Sequence, residues 1–338
     1  ERLIFGRFGY GPEFGIGRMF DIAERHNCRL TCYLNYAEEY LYGDQILQVG
    51  RYIKSRNHDL QVHLHPDLIP RAIFEKEGVA YVADMFNVGH AQAHLLFNFA
   101  VDAHRRTTGC DPLAFRGGGY RYNREVLREL ASHDFRFDSS YNPSRKNQPF
   151  NIGASKQFRW DCGVVELPIS CVPNFKNTGR LFDYNFNADV LMSGSVDECV
   201  AKHDQYLQEF FSLHGEDAIA VLVMHSWSFL VINDNGHYDN PNSVVVSKFE
   251  ALIKLLSERY LVVTTENLAN TDDGSLSDHI VISKYIKNTA VPSVSDPLTL
   301  GSQTQCDVCG AAVEAFKDFN GPKRKCGVCG SLERQRTF

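Results

Sequence analysis

Residues 44–68 read DQILQVGRYIKSRNHDLQVHLHPDL, and this stretch decides the fold. Its first part, 44–55, carries the period of an amphipathic helix; its second, 59–65, is a short apolar strand that ends in His63 and His65 ahead of Pro66. The same unit recurs along the chain. A helix pattern at 17–26 leads to a strand at 29–34, 89–107 leads to 112–116, and 123–133 leads to 135–138. A further strand reads at 164–169, then 196–213 leads to 218–225 and 243–258 leads to 261–265. Repeated helix and strand units with apolar strands predict an α/β fold, a parallel sheet covered by helices. The number of such strands, about seven, favours a closed barrel over an open sheet, with functional residues at the strands' carboxyl ends.

Outside this block the composition changes. Asn270, Asp272, Asp273, Gly274 and Ser275 form one polar cluster, and Pro292, Ser293, Ser295, Asp296, Pro297 and Gly301 another, so 270–302 reads as a linker between a domain at 1–269 and a small one at 303–338. In the small domain, Cys306 and Cys309 (CDVCG) precede Cys326 and Cys329 (CGVCG). Two such turns place four thiolates around a structural zinc ion, and about 35 residues cannot build a sufficient core without that metal. The other six of the ten cysteines are scattered singly among apolar neighbours, as expected of reduced, buried thiols in a cytoplasmic protein.

The whole chain, 338 residues with 35 Lys+Arg against 41 Asp+Glu, is globular in composition. Its net charge of −6 argues against binding nucleic acid by bulk charge, although Lys317, Lys323, Arg324 and Lys325 gather near the last cysteines. The apolar run Ala218 to Met224 has seven residues, far short of the ~18 that cross a bilayer, so no membrane span is expected.

Three strand ends could carry chemistry. On a strand, residues i and i+2 share a face, so His63 and His65 can reach one metal ion, and Asp67 could add a carboxylate just beyond. Taken alone, the pair is equally consistent with two hydrogen-bonded histidines. LAFRGGGYRYN (113–123) ends an apolar strand in Arg116, followed by three glycines that let backbone N–H groups approach a ligand closely. AIAVLVMHSWSF (218–229) delivers His225 beside Trp227 at the end of a buried strand, where a histidine suits general acid or base work.

In order along residues 14 to 268, these stretches resemble the polysaccharide deacetylases of the NodB-homology group. GIGRMFDIAERHNCRLTCYL is similar to that domain's first helix and second strand, NHDLQVHLHPDL to its metal-binding motif, FRGGGY to its arginine motif and LVMHSW to its closing histidine motif. The nearest resemblance is to the branch found in surface-polysaccharide gene clusters. The resemblance implies a distorted (β/α)7 barrel of the glycoside hydrolase/deacetylase type and a hydrolase, dependent on zinc or another divalent metal, that removes an N-acyl group from an amino sugar. It implies that His63 is a metal ligand aligned by His58 and Asp59. The family's second histidine ligand falls four residues later, where this chain has Asp67; His65 is taken as the second ligand because it shares the strand face, with Asp67 as the substitute. Arg116 would orient the catalytic carboxylate, Tyr120 would offer its backbone N–H to the oxyanion, and His225 would protonate the leaving amine.

The family's first strand carries an acidic pair, and ERLIFGRFGYGPEFGI (1–16) holds only Glu1 and Glu13. The expectation is that this strand lies upstream of residue 1 and that the fragment is weak or inactive by itself. CGSLERQRTF, after the last cysteine, resembles the entry to certain bacterial methyltransferases of surface-glycan clusters, which implies a fused or associated methyltransferase domain. The rival reading is a non-catalytic carbohydrate-binding barrel in which Tyr120, Tyr122, Tyr141 and Trp227 act as sugar platforms.

Overall fold

The computed structural model describes residues 2–7, 13–145, 148–149, 156–172, 184–185, 194–232, 238–271, 279–280, 313–318, 321–326 and 332–334. The chain divides into two compact units, Glu1–Tyr285 and Ile286–Phe338.

The first unit is built on the expected alternation. Helix α1 (Ile16–Arg25) precedes strand β1 (Thr31–Asn35), α2 (Gln45–Ser55) precedes β2 (Asp59–Leu64), α3 (His90–Thr108) precedes β3 (Ala114–Gly117), and α4 (Arg124–Ser132) precedes β4 (Phe137–Asp138). Two further strands, β5 (Phe158–Trp160) and β6 (Val165–Glu166), lead to α5 (Val196–His214), α6 (Ser243–Arg259), α7 (Thr265–Thr271) and β7 (His279–Ile280). The sheet order is β1-β2-β3-β4-β6-β5-β7. Its ladders are parallel except for the antiparallel β5–β6 pair.

Alternation along the strands gives the sheet two different faces. Val62, Leu64 and Phe115 face the large core formed with α3 and α4, where Ala93, Leu96, Phe97, Ala100, Val126, Leu127 and Leu130 are buried. The opposite face carries Tyr33, Ala114, Phe137, Val165 and Leu167, packed with Ile219, Val221, Leu268 and Ala269. That second face is partly polar. Asp59 is fully buried and accepts hydrogen bonds from Gln61 Nε2 (2.7 Å), Thr31 Oγ1 (3.0 Å), Thr265 Oγ1 (2.5 Å) and Glu266 N (3.2 Å), so the start of α7 is fixed to β2.

The sheet does not close into the expected barrel. Among the described residues neither 218–225 nor 261–265 joins a strand ladder; Val223 makes only an isolated bridge. Side-chain oxygens intercept the backbone groups a ladder would use. Ile219 N donates to Gln157 Oε1 (2.9 Å), Val221 N to Ser170 Oγ (2.6 Å), Thr264 N to Asn267 Oδ1 (3.1 Å) and Thr265 N to Thr31 Oγ1 (3.2 Å). Both segments therefore run close to the sheet without extending it.

Cys28, Cys32, Cys110, Cys162, Cys171 and Cys199 are unpaired; Cys110 is exposed, against the expectation of burial. In the second unit, β8 (Val313–Asp318), β9 (Gly321–Cys326) and β10 (Leu332–Arg334) form a three-stranded antiparallel sheet in which Cys326 pairs with Val313. Cys306, Cys309 and Cys329, with most of the linker, lie outside the described residues, and of Cys326 only the backbone is described.

Candidate active site

Register places the polar residues side by side. Asn35 on β1 is the partner of His63 on β2, and His63 is the partner of Arg116 on β3. One row thus crosses three neighbouring strands at their carboxyl ends. In that row His63 Nδ1 donates to the Arg116 carbonyl oxygen at 2.5 Å. A carbonyl can only accept, so Nδ1 carries the proton and Nε2 holds the lone pair. Burial, and next the neighbouring His65, hold the His63 pKa well below the ordinary histidine range, which favours the neutral, ligating form.

His65 lies one residue beyond β2, its ring edge-on to His63 with centroids 4.9 Å apart. Its backbone N–H donates to Asn35 Oδ1 (3.2 Å), and its Nδ1 is 3.6 Å from Asp67 Oδ1. The glycine run explains how the ring fits. A Cβ on Gly118 would stand 2.7–2.8 Å from the His65 ring, and one on Gly117 would stand 1.9 Å from the Arg121 carbonyl oxygen. Tyr120 follows with φ +60°, a left-handed conformation at a non-glycine residue, so the loop that bears the expected oxyanion N–H is strained.

Arg116 is held by Ser139, whose carbonyl accepts from Nε (3.2 Å) and whose Oγ accepts from Nη2 (2.8 Å), and its guanidinium lies over the Tyr33 ring at 4.3 Å. Among the described residues it forms no ion pair with a carboxylate. His225 is exposed, its ring stacked on Trp227 at 4.5 Å, and its charge acts on His63. Ser228 Oγ accepts from the His225 backbone N–H (3.0 Å) and turns the chain there.

Two residues expected to align His63 stand elsewhere. Asp59 begins β2 and His58 precedes it, about 13 and about 17 Å from His63 at 3.3 Å per residue. His58 Nδ1 accepts from Leu30 N (3.0 Å), so its work is to join β2 to β1, and Asp59 anchors α7. Of the aromatics that could form sugar platforms, Tyr122 and Tyr141 are buried in the core, leaving only Tyr120 and Trp227 partly accessible.

Sequence reasoning missed Glu38. It sits on the turn after β1, where Asn35 Nδ2 donates to its Oε1 (3.3 Å) and His65 is near enough to act on it electrostatically. Burial raises its pKa from the ordinary value, against the lowering effects of Asn35 and His65. An acid just past a strand's carboxyl end, NYAEEY at 35–40, was the available signal.

A divalent metal suits these donors in kind: an imidazole whose other nitrogen is fixed by a backbone carbonyl is a typical metal ligand, His65 stands beside it, and Asp67 adjoins His65. The ligand atoms of His63, His65 and Asp67 do not all lie within 4.8 Å of one another.

The fold and this row of residues define an α/β protein with a histidine-bearing carboxyl edge. No protein-family model matches the chain, and no curated protein matches it. Among solved structures it is similar to a proposed polysaccharide deacetylase from Mycobacterium smegmatis (15% identity, 76% of each chain covered, TM-score 0.48). It is also similar to a peptidoglycan N-acetylglucosamine deacetylase (11% identity, 82% of this chain and 83% of that one, TM-score 0.39). A third likeness is to a pseudoenzyme of the CE4 family from Bacillus anthracis (10% identity, 80% of this chain and 60% of that one, TM-score 0.36).

Proposed function

We propose that the first unit is a metal-dependent N-deacetylase-type amidohydrolase acting on an amino sugar of a surface polysaccharide, in the cytoplasm. The observation that carries this reading is the Asn35–His63–Arg116 row, in which the Arg116 carbonyl fixes the His63 tautomer and leaves Nε2 as the ligating atom. The motifs at 57–68, 113–123 and 218–229 support the same chemistry.

His63 and His65 would hold the metal, with Asp67 as the adjoining carboxylate. When bound, the metal supplies a Lewis acid that polarises the amide carbonyl and acidifies water. Glu38, held by Asn35 just past the end of β1 and within electrostatic reach of His65, accepts the proton of the attacking water. The Tyr120 backbone N–H steadies the oxyanion, and Arg116, fixed by Ser139, lends its charge to the row. His225 protonates the departing amine. The second unit is a zinc ribbon held by Cys306, Cys309, Cys326 and Cys329, and an attached methyltransferase domain is its proposed neighbour.

The test is acetate release from an N-acetylglucosamine oligomer, with metal content measured in parallel. His63→Ala/His65→Ala is expected to lose about one metal per chain and all turnover. His225→Ala is expected to keep its metal while turnover falls by about 10²–10⁴-fold. Full metal content in the double variant, or full activity in His225→Ala, overturns the assignment.

A further inference from the structure

The structure assigns a second transition-metal site to His94, Glu129 and His133, on the outer helices and independent of the row at the strand ends. Helices α3 and α4 lead into and out of β3, and one face of each is buried in the shared core. At their junction Glu129 is only 4% exposed. A carboxylate so buried calls for a cationic partner or a metal. Its ion-pair contacts are two imidazoles, His94 Nδ1 at 2.8 Å from Oε1 and His133 Nε2 at 3.4 Å from the same oxygen. His133 Nε2 is itself buried and has no hydrogen-bond partner.

The three donor atoms lie within 4.8 Å of one another. Around a tetrahedral zinc ion with bonds of about 2.0–2.1 Å, ligand atoms stand about 3.3 Å apart. The two contacts to Oε1, at 2.8 and 3.4 Å, bracket that spacing. Glu129 and His133 are four apart on one helix face, and His94 faces them from α3. Two imidazoles and a carboxylate select Zn²⁺ over Mg²⁺ or Ca²⁺, which prefer all-oxygen shells. The His94 side chain is 62% exposed, which leaves a route for the ion and a place for a water as fourth ligand. A zinc ion there would neutralise Glu129, satisfy His133 Nε2 and clamp together the two helices that flank the Arg116 strand.

The test uses the full chain, stripped with chelator, reloaded with Zn²⁺ alone, dialysed and assayed for zinc per chain. His94→Gln keeps a donor for Glu129 at an exposed position while removing the imidazole, and is expected to bind about one zinc fewer than the wild type. The same deficit is expected when His94→Gln is added to His63→Ala/His65→Ala, which separates this site from the one at the strand ends. His133→Asn serves as the second variant, and circular dichroism checks that each is folded. Wild-type zinc content in folded His94→Gln and His133→Asn overturns the site.

Discussion

Asp138 and Glu166 are register partners on β4 and β6, both fully buried on the helix-facing side of the sheet. Each has its own donors. Ser140 N (3.1 Å) and Ser140 Oγ (2.5 Å) donate to Asp138 Oδ1, while Tyr141 N (2.8 Å) and Trp160 Nε1 (3.0 Å) donate to the two oxygens of Glu166. Asp138 Oδ2 meets no amide or hydroxyl donor; the remaining partner of the Asp138 carboxylate is the Glu166 carboxyl, which can bond to it only by carrying a proton. Burial drives both pKa values up, and the charge of Asp138 pushes Glu166 further, so the folded protein keeps a proton on the pair where the unfolded chain has lost it. The sign follows: stability from this pair is complete below about pH 4, the unfolded carboxylate range, and is lost as pH rises through the raised folded values. Within that window one retained proton gives a slope of about 1.4 kcal/mol per pH unit. Asp138→Asn supplies a permanent N–H toward Glu166 and keeps an oxygen for Ser140. The variant is therefore expected to gain on the wild type by up to that slope as pH rises, read by urea unfolding at pH 5, 6, 7 and 8. A difference between the two proteins that does not change with pH would refute the shared proton.

Gly118→Ala places a methyl against the His65 ring, so about a 10–100-fold loss of metal affinity at the strand ends is expected in a protein of unchanged circular dichroism; unchanged metal affinity would show that His65 is not a ligand. His104 is buried with Nδ1 3.1 Å from Tyr36 Oη, and burial lowers its pKa to about 4. Its contribution is intact above pH 6.5 and falls as pH drops to 4, by about 3 kcal/mol in total. His104→Phe gives up the Tyr36 bond but should lose correspondingly less stability than the wild type between pH 7 and pH 4.5, and equal losses would contradict the assignment. Ser139→Ala removes one of the two hydrogen bonds holding Arg116, with a drop in turnover larger than any change in melting temperature as the expected outcome.

The alternation of helix and strand was legible because each amphipathic helix covers an apolar strand, and periodicity reports burial directly. Closure was not. AIAVLVMH has the composition of a strand, but composition cannot show that Gln157 and Ser170 will take its backbone N–H groups. The error over His58 and Asp59 was one of direction: in a parallel sheet only the carboxyl end meets the site, and these two stand at the start of the strand whose far end carries His63. Glu38 follows its strand in a turn that lacks a periodic signature. His94 and Glu129, 35 residues apart on different helices, become neighbours only through packing.

The end of β4 shows how one short segment serves both faces of the sheet. FDSS at 137–140 alternates: Phe137 enters the core beside Ala114, Asp138 meets Glu166, Ser139 returns to Arg116, and Ser140 Oγ accepts the Gly117 N–H (2.8 Å) while donating to Asp138. Arg116 and Gly117 are thus gripped from opposite faces by consecutive residues. The grip through Ser140 depends on an acid buried at an electrostatic cost. A sheet that needed only stability would place an apolar residue there, since a well-packed hydrophobic substitute commonly matches or exceeds a buried charged pair. What the acid adds is an acceptor that fixes the Ser140 hydroxyl, hence the Gly117 backbone, hence the turn against which the His65 ring lies.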